Sequence, residues 1–336
     1  MIEAVPRLLG YHPHNSLLLI ALHGERHRFG VNIRLDLHQV RDHRAQVRHA
    51  VGVLDRERAD KAMVLIFTDE PALHGRPEQR LFDLVAEELT GSGIKVREAL
   101  CVHAGRWWSY VCDNEECCPR QGTPIVSATQ PGGPSRVAAE AAVEGLVALP
   151  SREALAATLR PVGFLARASM DSALDRVGDE LAERVLQAGD VDACREELRR
   201  IREETLPLVR ELQARFADPE DARMTDDEAA RVLVVLEDVL FRDACIELVT
   251  MERGDAAVAL WTQLLRRADP ADAAAPATVL AFAAWQNGDG TLANIAVDRA
   301  LVCDPDYRLA NYLHSALLHV INPSSLRECI MGSAST

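Results

Sequence analysis

The chain of 336 residues is long enough for two domains of ordinary size, each burying its own core. Its 37 basic and 51 acidic residues leave a net charge of −14, which opposes adhesion to a phosphate backbone and argues against a nucleic-acid partner. The apolar run Leu17 to Leu22 falls far short of the roughly 20 residues that cross a bilayer, and no small-residue cleavage pattern comes after it, so neither a membrane span nor a secretory leader is expected.

In chain order, the run from Ser16 to Leu22 ends at His23-Gly24, and Phe29 to Leu37 alternates as a strand does, which predicts a hairpin closed around Gly24. A polar helix is expected over about 39–58. Ala62 to Phe67 is apolar without interruption, as in a strand buried on both faces. A second helix over about 77–89 stops at Gly91-Ser92-Gly93, and the next strand runs from Ile94 to His103. A two-residue turn at Ala104-Gly105 returns the chain as a strand over 106–111, pairing His103 with Arg106, Cys101 with Trp108 and Ala99 with Tyr110. In that register Leu100, Val102, Trp107 and Val111 form the expected core face, opposite Cys101, His103, Trp108 and Tyr110. The alternation of strand and helix predicts an α/β domain with a mixed sheet and flanking helices over residues 1–133.

Beyond Pro131-Gly132-Gly133-Pro134 no strand pattern recurs, and an all-α helical-hairpin domain is expected. Ser135 opens the first helical segment, and residues 134–221 read as a helical connector with long amphipathic stretches over about 166–188 and 191–216, the second kinked at Pro207. Thr225-Asp226-Asp227-Glu228 is a capping box. Over 222–322 a repeat emerges: Gly254-Asp255 with Ala259 returns 34 residues later as Gly288-Asp289 with Ala293. Gly288, Ala293, Ala300 and Pro305 fall where the tetratricopeptide repeat places its glycine, small residues and terminal proline, so this part resembles that repeat. Residues 323–336 read as a flexible tail.

Chemistry concentrates in Cys112-Asp113-Asn114-Glu115-Glu116-Cys117-Cys118-Pro119. The protein is placed in the cytoplasm, where clustered thiols read as metal ligands, a redox pair or a buried loop before they read as disulfides. Zinc is the metal such a set would take, though four ligands are usual and a second close pair is missing. Pro119 favours an extended Cys118, so adjacent side chains point oppositely and only one of Cys117 and Cys118 is expected to face Cys112. Asp113, Glu115 and Glu116 disfavour a thiolate, and only Arg120 opposes them. A second candidate lies at the strand ends, where open α/β sheets hold ligands: Asp69 comes directly after one strand, and His23 and Asp36 end the two before it. These groups either bind and catalyse or cap the next helix. No Walker loop, Gly-x-Gly-x-x-Gly or Gly-x-Ser-x-Gly is present.

Taken together, Ala4 to Pro13 with Ser16-Leu17, the run Arg106 to Cys112 with Cys117-Cys118-Pro119 and Gly122-Thr123-Pro124, and Leu280 to Trp285 with Gly288-Asp289-Gly290 and Asp304 to Tyr307 resemble the actinobacterial domain-of-unknown-function family number 4192. The resemblance runs through nearly the whole chain, with Cys-Cys-Pro its most specific part. It implies a cytoplasmic actinobacterial protein and a further strand-like segment ahead of Ala4 in relatives; it transfers no activity. The expected function is a non-catalytic binding or scaffold protein that holds a protein or peptide partner on its helical domain, without a cofactor. The alternative is an enzyme, hydrolase-like or thiol- or metal-dependent, working at Asp69, Asp36 and His23 or at Cys112, Cys117 and Cys118.

Overall fold

A computed structural model describes residues 2–40, 44–70, 76–125, 148–251 and 254–323. The chain divides into two compact units, Met1–Arg152 and Glu153–Thr336. The Pro131 to Pro134 junction, the helix expected from Ser135 and the tail beyond residue 323 lie outside the described residues.

In the first unit, helix α1 (Val5–Leu9) precedes the hairpin of β1 (Ser16–His23) and β2 (Arg28–Asp36). The short α2 (Leu37–Val40) and α3 (Arg44–Arg56) lead to β3 (Lys61–Phe67), and α4 (Gln79–Gly91) leads to β4 (Lys95–His103), β5 (Arg106–Ser109) and β6 (Thr123–Pro124). The six strands form one mixed sheet in the order β2-β1-β3-β4-β5-β6, parallel only between β3 and β4. The apolar runs read in β1 and β3 occupy the middle of this sheet and are buried on both faces. Gly24, at φ 67°, opens the hairpin turn, where a glycine carries no steric cost.

Helices α3 and α4 lie on one face, over Leu17, Leu19, Ala21, Ala62, Val64, Ile66, Ala99 and Cys101. Arg44 and Arg48 of α3 bridge to Glu87 and Glu88 of α4. The expected pairs His103 with Arg106 and Cys101 with Trp108 are present, but of the expected core face of β4 and β5 only Leu100 is fully buried. Cys101 and Tyr110 are buried beneath the helices, whereas Val111 is 49% exposed. Both alternating sets are apolar; α4 decides between them, because Phe82 stacks on Tyr110 with ring centroids 4.4 Å apart.

The second unit is all helical: α5 (Arg152–Ala157), which begins at the division, then α6 (Phe164–Gln187), α7 (Val191–Arg215), α8 (Asp226–Val235), α9 (Val239–Met251), α10 (Asp255–Arg267), α11 (Ala274–Gln286), α12 (Gly290–Cys303) and α13 (Arg308–Leu318). Helix α7 runs through Pro207 as a single element, and Thr225 forms the reciprocal capping box with Glu228. One core joins Met170 and Val177 of α6 to Leu212, Phe241, Trp261, Leu280 and Ala296. Helix α11 is buried on every side, with α9, α10, α12 and α13 around it. Its alanines make a thin rod, and Ala293, Ala296 and Ala300 of α12 let that pair approach closely. The recurrent glycines both precede the second helix of a pair and take positive φ, 153° at Gly254 and 86° at Gly288.

Candidate metal centre

Strand β5 delivers the chain to the cysteine segment, and three anchors shape the loop built there. Trp108 donates its indole N–H to the Arg120 carbonyl at 3.0 Å, and Gly122 lies against the ring of the same tryptophan. Tyr110 reaches the Pro77 carbonyl from the core. Arg76, just before α4, donates to the carbonyls of Tyr110 and Cys112 at 3.2 and 2.8 Å and pairs with Asp113 at 2.7 Å. One guanidinium thus holds the backbone on both sides of Val111, a use of its rigid fork that a lysine cannot copy.

Between those anchors Asn114 builds a turn. Its side-chain oxygen accepts from the Glu116 N–H, and its carbonyl accepts from the N–H groups of Cys117 and Cys118 at 3.3 and 2.8 Å. The vicinal cysteines therefore sit on a turn, and the strand rule that separates neighbouring side chains does not govern them. Both face Cys112, which corrects the expectation that one would point away. The Sγ atoms of Cys112 and Cys117 are 3.4 Å apart, those of Cys117 and Cys118 3.7 Å, and all three sulfurs lie within 4.8 Å of one another. Two thiolates on one tetrahedral zinc, each at about 2.3 Å, stand about 3.8 Å apart. The loop thus presents three soft donors, two of whose separations lie close to that spacing.

No imidazole or carboxylate joins the three sulfurs among the described residues. The cluster is open to solvent, since Cys117 is exposed and Cys112 and Cys118 are half-buried. Cys101 stays in the sheet core, its thiol pushed up to about 12 by burial. Hydrogen bonding from the Asn114 backbone and then from the two neighbouring thiols draws the Cys112 thiol below its ordinary value; Asp113 opposes this only weakly. Arg120, the one local cation expected to help, is engaged with Glu115. Cys118 is pushed up to about 12, by burial first and then by Cys112 and Cys117.

The strand-end residues do not form one site. The two strands of a hairpin finish at opposite ends, so Asp36 pairs with Ser16 beside the end of β3, while His23 lies at the other end, opposite Arg28. The His23 ring covers Gly30, where a Cβ would come within 2.3 Å of its Nε2. Asp36 is bound to Arg34, which also donates to Ser16 Oγ at 3.0 Å. Asp69 takes the Asn15 amide at 2.7 Å and returns its own N–H to the same side chain at 3.0 Å, with His14 4.0 Å away. This is a clamp between the loop before β1 and the end of β3. Asn15 and Arg76 escape sequence reasoning; the only signal for them is that polar residues flank a strand end and a helix start.

The family model described as domain of unknown function (DUF4192) matches residues 1–324. No curated protein and no solved structure matches the chain. The chain belongs to that family.

Proposed function

We propose that this member of the DUF4192 family is a metal-binding protein that takes one zinc ion on Cys112, Cys117 and Cys118. The observation that carries the reading is the convergence of three sulfurs, two of the separations being 3.4 and 3.7 Å, on a turn held by Arg76 and Asn114. Structural zinc sites close all four positions with protein, whereas three protein ligands leave the fourth to water or an incoming group. The ion would then be open to an incoming ligand. Asp113, Glu115 and Glu116, unfavourable to a free thiolate, favour a cation at the same place.

The test is the zinc content of untagged, reduced, full-length protein. One ion per chain is expected, falling to background when all three cysteines become serine. Loss of a single ligand should cost more than the about 10–100-fold that outer-shell changes cost in metal affinity. Retention of zinc by the triple variant overturns the assignment.

A tetratricopeptide-like, partner-holding role for the helical unit has less behind it. Such grooves lie on the concave side of stacked hairpins, and here the fully buried α11 occupies the interior of the bundle.

A further inference from the structure

The same three sulfurs carry a second chemistry, and it rests on the zinc reading. We infer that Cys112 and Cys117 are a peroxide-oxidisable pair, whose disulfide and the bound zinc ion exclude one another.

The pair is selected by geometry. Cys112 and Cys117 bring their sulfurs to 3.4 Å across a five-residue step that the Asn114 turn has already closed. Cys117 and Cys118 are further apart, at 3.7 Å, and adjacent in sequence. Consecutive Cα atoms stand about 3.8 Å apart across a trans peptide, below the about 4.4–6.8 Å that disulfides span, so the vicinal bridge is the strained one. Moreover, Cys117 is the exposed member of the three and meets a solute oxidant first.

The oxidant is hydrogen peroxide. The Cys117 thiolate attacks one peroxide oxygen; the O–O bond breaks, and the departing hydroxide takes up a proton as water. The resulting sulfenic acid is then attacked at sulfur by Cys112. Its S–O bond breaks, hydroxide leaves as water with the proton of the Cys112 thiol, and the disulfide forms. Two thiols and one peroxide become one disulfide and two waters, with both sulfurs oxidised and both peroxide oxygens reduced. Since the metal needs the same two thiolates, the disulfide leaves Cys118 as the sole remaining donor, and one thiol does not hold zinc. Conversely, a bound ion engages the sulfur electron pairs that would otherwise attack peroxide.

The experiment uses full-length protein, reduced and then either metal-free or loaded with zinc alone. Each form is treated with hydrogen peroxide, its remaining thiols are alkylated and its peptides are mapped, while a chromophoric chelator reads released zinc. The metal-free form should lose two hydrogen atoms as a Cys112–Cys117 disulfide, with Cys118 alkylated. The zinc form should react at least about tenfold more slowly and release one ion for each disulfide formed. Cys118→Ser should retain the disulfide, and Cys112→Ser should abolish it and drive Cys117 to higher oxides. If the reduced protein takes up no zinc, the metal reading fails and the mutual exclusion with it. If zinc binds but peroxide leaves both Cys112 and Cys117 alkylatable, or joins Cys117 to Cys118, the redox inference alone is overturned.

Discussion

At Gly122 the difference between a hydrogen and a methyl group decides whether the cysteine turn can close. Its φ of 76° lies where side chains are strained, and a Cβ would stand 2.5 Å from Cε2 of Trp108. That ring cannot swing aside freely, because its N–H is committed to Arg120. Gly122→Ala should therefore destabilise the first unit by about 1–3 kcal/mol, the usual range for overpacking, and weaken zinc binding as the turn shifts. Thermal unfolding and zinc titration of the same preparation check it; an unchanged melting profile and affinity would show that the loop closes without Trp108. That the cysteines cluster is legible in their spacing. Their convergence is not, because Pro119 signals an extended Cys118, and the residue that overrides this is Asn114, whose turn-forming side chain acts two positions downstream.

Among the elements, α12 shows how a cap and a half-buried charge compete. Asp289 accepts the Leu292 N–H at 2.8 Å as N-cap, yet burial raises its carboxyl above the ordinary 3.8, outweighing the hydrogen bonds from Leu292 and Thr291. A group raised on folding contributes its full stability below the unfolded value and loses it as pH climbs through the folded one. Once ionised, Asp289 caps the helix while carrying a partly desolvated charge. Asp289→Asn keeps the acceptor without the charge, so its stability relative to wild type should improve as pH rises from about 4 to 7. Asp289→Ala loses the cap as well and should cost about 1 kcal/mol. Denaturant melts across that pH range measure both; a pH-independent difference for the asparagine variant would mean the carboxyl is better solvated than its burial implies. The spacing of Gly288, Ala293 and Ala300 announces this helix pair, since each residue type has one mechanical use there. The core face of β4 and β5 is less accessible to such reasoning, because apolar side chains line both faces and only the contact with Phe82, distant in sequence, chooses between them.

On the scale of the whole molecule, the charge and the thiol cluster reside in different units. Residues 1–152 hold 19 acidic and 18 basic side chains, so nearly all of the net −14 belongs to the helical unit. The division into a sheet-bearing part and a helical part can be read from the loss of every strand pattern after Pro131, since alternation is a local signal that survives without tertiary knowledge. Each unit closes its own core, one beneath α3 and α4 and one around α11. Ligand binding stabilises what it binds in the native state, and local opening is cooperative within such units. Zinc added to the reduced full-length protein should therefore slow amide hydrogen exchange from β4 through β6 and leave the amides of α11 and α12 unchanged. The strongest protection is expected at Cys117 and Cys118, whose N–H groups donate to the Asn114 carbonyl. Protection that appears instead in α11 and α12 would place the ion, or the coupling it drives, in the helical unit, and the three sulfurs would then be only a turn.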